Sequence, residues 1–279
     1  MFNRILHKWL HLPYRLKAPI KRLLPPRRET VVLLHGIGSS AANWREVTPQ
    51  IEKTMNVICL DLLGFGTSPK PTWATYSVAD QVRAIRHTLR SYGILGNITL
   101  VGHSLGALIA VEYAKRYPRQ LSALVLCSMP LYTNEAMLAQ QTTLWPSLRS
   151  NIYLRLYRML RQRQVMTTEA SRLAAKYLKV ATSITLTEAN WLAFSRSLAA
   201  SIERQTTIVD AEHLRIPMTL LYGSYDVLII KKYLRDLATM NPYATLRRVH
   251  AGHEINKAYA EAIADSINRR LPQTPKVVH

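Results

Sequence analysis

The sequence predicts an α/β fold: a mostly parallel sheet of about six strands flanked by helices, with an inserted all-helical cap. Two patterns carry this. Short apolar runs alternate with amphipathic stretches, the signature of strands covered on both faces by crossover helices. One stretch, 131–210, breaks the alternation and carries helical pattern alone. At 279 residues the chain is long enough for one large domain with a sizeable core.

Residues 1–30 come first and stand apart. Eight lysines and arginines (Arg4, Lys8, Arg15, Lys17, Lys21, Arg22, Arg27, Arg28) face one acid, Glu29. Phe2, Ile5, Leu6 and Trp9 recur at helical spacing, with Asn3, Arg4, His7, Lys8 and His11 on the other side. That reads as a basic amphipathic helix. It either makes peripheral contact with an anionic membrane through residues 1–25 or packs its apolar side on the domain. It lacks the uninterrupted apolar run of a signal peptide and is too short and charged to span a bilayer.

The core is expected over 31–130 and 211–279. Strands are predicted at 31–34, 55–60, 98–101, 121–126, 218–222 and 245–249, each apolar and bounded by turn or helix signals. Helices are predicted at 44–53, 78–91, 104–117, 230–240 and 254–270. Within the cap, helical pattern covers 153–160, 170–178 and 188–202. Cys59 and Cys127 lie inside apolar runs and read as small core residues. No cysteine or histidine spacing suggests a metal site or a disulfide framework, which fits a reducing, cytoplasmic setting. The net charge of +20 is spread along the body of the chain without aromatic interleaving, so no nucleic acid partner is expected.

The chemistry centres on Gly102-His103-Ser104-Leu105-Gly106, placed between an apolar strand and a helix rich in small residues. A G-x-S-x-G turn in that setting exposes a serine hydroxyl above the sheet. Such a hydroxyl needs a base, and the base needs an acid to hold its tautomer. Leu220-Leu221-Tyr222-Gly223-Ser224-Tyr225-Asp226 ends one strand, and Ala251-Gly252-His253 follows the last. Ser104, Asp226 and His253 therefore stand in the chain order this elbow requires. The rivals are weaker: Asp210 precedes a strand, and His250 lacks the adjoining glycine. Two N–H groups should hold the oxyanion. One is Leu105, after the nucleophile; the other is Ile37, in the loop Leu34-His35-Gly36-Ile37-Gly38-Ser39-Ser40.

His35-Gly36, Asp61-Leu62-Leu63-Gly64-Phe65-Gly66-Thr67-Ser68, the Ser104 elbow, Asp226 and Gly252-His253 together resemble the α/β-hydrolase superfamily. The resemblance covers about residues 31–270 and is to serine hydrolases with a helical cap. It implies a serine triad and no cofactor, with His35 and the 61–68 loop as structural parts of the site floor. Serine at position 104 excludes the branches with an aspartate nucleophile. The chain departs from the family in lacking an evident opening strand pair, which leaves a sheet edge for residues 1–30 to cover.

The expected activity is hydrolysis of a carboxylic ester with an apolar acyl group through an acyl-enzyme. Trp145, Tyr153, Met159, Trp191 and Phe194 either line the acyl pocket or fasten the cap to the core. Thioesterase, lysophospholipase or monoacylglycerol lipase, amidase and carbon–carbon hydrolase or lyase chemistry all use the same triad. A hydrolase-fold binding or signalling protein with little turnover is the alternative of another class.

Overall fold

Each of the six predicted runs is a strand in the structure, a computed structural model that describes residues 5–10, 12–25, 29–132, 187–202 and 205–269. A seventh strand precedes them. In chain order they are β1 (Ile20–Arg22), β2 (Thr30–Leu34), β3 (Asn56–Leu60), β4 (Ile98–His103), β5 (Leu121–Cys127), β6 (Met218–Gly223) and β7 (Ala244–Val249). They lie side by side in the order β1-β3-β2-β4-β5-β6-β7. All neighbours run parallel except β1, which pairs antiparallel with β3, Ile20 opposite Cys59 and Arg22 opposite Val57.

Both faces of the central strands are buried, and alternate side chains separate into two cores. Val32, Leu34, Leu100 and Leu126 face the larger one, closed by α1 (Val78–Ser91), α2 (Leu105–Arg116), α4 (Thr207–Glu212) and α5 (Lys231–Met240). Val31, Leu33, Val101 and Cys127 face the smaller, closed by Trp44, Val47 and α6 (Lys257–Asn268). Burial pushes the Cys59 thiol up to about 12 and raises that of Cys127 as well, so both are inert core residues.

Three departures from expectation have local causes. The helix expected at 44–53 is two short 3₁₀ turns, Ala41–Trp44 and Thr48–Gln50. Pro49, inside the second turn, has no N–H to carry an α-helical ladder across the two. The last helix begins at Lys257, because the Asn256 side chain accepts the Tyr259 N–H at 2.9 Å and caps it there. Most of the described N-terminal segment carries no regular secondary structure. One π-helical turn, Ile5–Trp9, is followed by a strap that packs on the domain.

The strap is firmly attached. Leu16 is buried in the larger core and its N–H donates to Thr88 Oγ1 at 2.8 Å. The Lys17 N–H donates to Ser68 Oγ at 2.9 Å, and the Lys17 carbonyl accepts the Asp61 N–H at 2.9 Å. Of the expected cap, residues 133–186 lie outside the described residues, as do Trp145, Tyr153 and Met159. Within the range expected for it, the structure describes α3 (Glu188–Ser197), which continues as a π-helical turn, Leu198–Ile202. Among the described residues, no helix is long and apolar enough to cross a membrane.

Candidate active site

The turn from β4 into α2 brings two backbones closer than side chains permit. A Cβ on Gly106 would lie 2.2 Å from the Leu34 carbonyl oxygen, and one on Gly102 would lie 2.3 Å from that of Gly106. Only glycine lets α2 start this close to β2 and β4. Between them Ser104 adopts φ 53° and ψ −118°, a conformation rarely tolerated outside glycine, held by its N–H bond to Cys127 O at 2.9 Å. Its hydroxyl does not cap α2, and the residue is 7% exposed. Leu105 is the first residue of α2, where helix geometry leaves the N–H without an intrahelical acceptor. The 35–40 loop abuts the serine, since a Cβ on Gly36 would sit 3.2 Å from Ser104 Cβ. Ile37 is half-buried in that loop and packs on the larger core.

The acid and base meet in the structure. Asp226 Oδ2 accepts from His253 Nδ1 at 2.8 Å, with the carboxylate fully buried and the imidazole partly so. Gly223 makes the approach possible: a Cβ there would lie 2.2 Å from Gly252 O and 2.4 Å from Ala251 O. Bonds from Ser224 N–H to Val249 O (2.8 Å) and from Tyr225 N–H to Ala251 O (2.9 Å) then join the two loops. Burial raises the Asp226 carboxyl. The bonds from His253, Ser128 and the Leu228 N–H outweigh it and hold the group below its ordinary value. It is a carboxylate at neutral pH, the form that fixes a proton on His253 Nδ1 and leaves Nε2 as the base.

Two residues of this shell have no assigned role in the sequence pattern. His103 is buried and its Nε2 lies 2.8 Å from the His253 carbonyl oxygen, with the ring centroids 5.0 Å apart. A carbonyl only accepts, so Nε2 carries the proton and ties the histidine loop to the residue beside Ser104. Burial, reinforced by the His253 charge, pushes its pKa down to about 3. Ser128, at φ 46° after β5, bonds the Tyr259 hydroxyl at 3.0 Å and favours the charged form of Asp226. Position 103 is visible within the elbow motif. Nothing local marks Ser128.

The floor is a closed hydrogen-bond network. His35 Nδ1–H donates to Gly36 O at 2.7 Å and Nε2 accepts the Leu62 N–H at 3.0 Å, which fixes a neutral ring. Burial lowers its pKa to about 4, against the Gly36 bond and the Asp61 charge. Asp61 accepts from the Ala41 N–H (2.7 Å), the Thr67 N–H (2.7 Å) and the Thr67 hydroxyl (2.8 Å). With three donors on the Asp61 carboxylate and both ring nitrogens of His35 engaged, these groups hold the 35–41 and 61–67 loops together.

The rivals fall elsewhere. Asp210 pairs with Lys115 at 2.8 Å on α4, and His250 Nε2 bonds the exposed Tyr225 hydroxyl at 2.6 Å. Of the expected pocket residues, Trp191 and Phe194 stack at 5.9 Å and pack on the larger core from α3. They fasten α3 to the core, helped by Arg196 Nη1 donating to Thr72 O (2.6 Å) and Ala74 O (2.7 Å).

The alpha/beta hydrolase fold family profile matches residues 29–257. The chain belongs to that family. An uncharacterized protein of Mycobacterium tuberculosis is 29% identical over 214 residues, which is 71% of this chain and 62% of that protein. The chain thus spans under two thirds of that relative's length. Lipase 1 of Psychrobacter immobilis is 37% identical over 98 residues, 35% of this chain and 31% of the lipase. An esterase from Thermogutta terrifontis superposes with a TM-score of 0.65 at 19% identity, covering 85% of this chain and 87% of the esterase. At that identity the likeness is one of fold.

Proposed function

We propose that this hydrolase cleaves carboxylic esters with an apolar acyl group through an acyl-enzyme on Ser104. The observation that carries the reading is the Asp226–His253 bond, 2.8 Å long and buried, tied through His103 to a serine held at φ 53°. Ser104 Oγ attacks the ester carbonyl while its proton passes to His253 Nε2. Asp226 stabilises the imidazolium, and the N–H groups of Leu105 and Ile37 hold the oxyanion. Collapse breaks the bond to the alkoxy oxygen, which takes the proton from His253 and leaves as the alcohol. Water then gives its proton to His253 and its oxygen to the acyl carbon. The acid departs, Ser104 regains its proton, and the triad is restored without any cofactor.

The lipase similarity supports an apolar acyl group. The test is fluorophosphonate labelling of wild type and Ser104→Ala, followed by turnover of esters of rising acyl length. Labelling of wild type alone, with turnover that rises as the acyl chain lengthens, is expected. A folded wild-type protein that does not label removes the mechanism, and equal labelling of Ser104→Ala moves the nucleophile elsewhere.

A further inference from the structure

The strap leaves an apolar and basic surface uncovered. Trp9, Leu10 and Leu12 are 69%, 61% and 48% exposed, although the strap just beyond them is anchored by Leu16, 1% exposed. This exposure does not come from a loose segment. His7 stacks on Tyr14 with ring centroids 3.7 Å apart and bonds Leu12 O at 2.7 Å, and Tyr14 packs on the larger core. The residues that turn outward are therefore held outward. An amphipathic segment packing its apolar side on its own domain would bury Trp9 and Leu10, and here both face solvent.

The charge around these residues has one sign. Residues 1–28 contain eight lysines and arginines and no acid. Lys17 is exposed beside the strap's anchor, and an open groove of about 440 Å³ runs along the strap between Arg15, Lys17, Lys21, Thr67 and Tyr92. Arg15 and Lys21 both sit over the Tyr92 ring, 5.0 and 5.2 Å from its centroid. The aromatic face holds the two cations at the groove and leaves them open to an anion.

Topology fixes where this surface lies. Because β1 is antiparallel to β3, the chain before Ile20 lies beyond the carboxyl end of β3. The Lys17–Asp61 bond marks that end, and it is the end at which β4 delivers Ser104. Trp9, Leu10 and Leu12 thus precede the sheet on its active-site side.

We propose that the strap, through Lys8, Trp9, Leu10, Leu12, Arg15 and Lys17, is a docking face for an anionic phospholipid surface. Cations meet the headgroups and the indole and leucines enter the interface, the pairing that membrane-surface elements use. A second copy of the chain is disfavoured as the occupant because its strap would bring the same positive charge. A nucleic acid would meet the cations and leave the leucines in water. The docking rests on the strap alone. That it turns the catalytic rim towards the bilayer rests also on the role proposed for Ser104.

The test is sedimentation of the full chain with vesicles of phosphatidylcholine, and with vesicles of phosphatidylcholine mixed with phosphatidylglycerol. Binding to the mixed vesicles alone, weakened by salt, is expected. Combined Trp9→Ser, Leu10→Ser and Leu12→Ser should lower that binding by about tenfold or more, and Lys8→Gln with Lys17→Gln should do likewise. Turnover of a soluble short-chain ester should stay unchanged in both variants and reports that they are folded. Wild-type protein that sediments with neither vesicle overturns the proposal, as does a triple-serine variant that binds like wild type. Lipid-free dimerisation abolished by the serine variant assigns the face to a second copy and overturns it too. Tighter binding to a duplex oligonucleotide than to the mixed vesicles, unaffected by the serine variant, does the same. Failure of vesicle binding leaves the fluorophosphonate result standing, so the two readings fail separately.

Discussion

Replacing Gly106 by alanine would test the elbow's geometry and the fold's stability in one variant. The new methyl carbon would stand 2.2 Å from Leu34 O and 2.8 Å from both Leu34 C and His35 O. Non-bonded carbon contacts settle near 3.5 Å, so α2 and the end of β2 must part by about 1 Å. All three obstacles are backbone, so no side-chain rotation relieves the clash. Overpacking of this kind costs about 1–3 kcal/mol. The displaced strand end leads directly into His35-Gly36-Ile37, so the Ile37 N–H moves away from Ser104. A misplacement of about 1 Å at reacting groups costs about 10²-fold in turnover. Urea unfolding followed by circular dichroism, with kcat on a short-chain ester, measures both. Gly96→Ala is the control, because its Cβ meets only Gln120 Cα at an ordinary 3.9 Å. If Gly106→Ala unfolds and turns over like wild type, the close approach is not what shapes the elbow.

Ser104→Gly should abolish turnover yet stabilise the fold by about 1 kcal/mol, since glycine accepts φ 53° without strain. Ser104→Ala should lose turnover at nearly constant stability, and thermal melts distinguish the two. Asp226→Asn should keep the fold and lower kcat by about 10⁴, because the wrong tautomer of His253 is then favoured. A kcat within tenfold of wild type would remove Asp226 from the triad. Acid should destabilise the protein early. His35 and His103 titrate at about 4 and about 3 in the fold, against an ordinary value of 6.5. Below pH 6.5 the unfolded chain therefore binds more protons, and stability present above that pH is lost as pH falls through the two folded values. His35 alone accounts for a loss on the order of 3 kcal/mol by pH 4. Urea midpoints measured from pH 7 downward check this, and His35→Gln should flatten the slope. A flat wild-type profile from pH 6.5 to pH 4 would show that the buried rings are not neutral.

The central strands β2, β3, β4 and β6 were legible because each is buried on both faces and so reads as a largely apolar run. β1 was not: Ile20-Lys21-Arg22 is three residues long, and only its pairing with β3 makes it a strand. Residues 44–53 carry helix-forming pattern, yet Pro49 has no N–H to continue an α-helical ladder, a local conflict that hydrophobic period alone hides. Ser104, Asp226 and His253 could be proposed from the sequence because each follows a strand, where topology gathers loops at one end of the sheet. The structure brings Asp226 and His253 into contact. His103 and Ser128 act through bonds to residues far along the chain, His253 and Tyr259, and no local pattern encodes such partners. The N-terminal segment was legible only at its start. Helical spacing over the first ten positions meets a helical turn at Ile5–Trp9, while the bonds of Leu16 and Lys17 to Thr88 and Ser68 hold the chain that follows on the domain.

Among the described residues β1 and β7 form the open rims of the sheet, and each is built to refuse company. β1 is three residues long with Lys21 at its centre. β7 carries Arg247 and Arg248, with the Arg248 side chain exposed. A rim that met a copy of itself would set cation against cation along an unsatisfied ladder, so strand addition between molecules is opposed at both edges. The chain's large positive charge thus also acts as protection against aggregation, most of all for a nascent chain whose apolar strands are made before the helices that cover them.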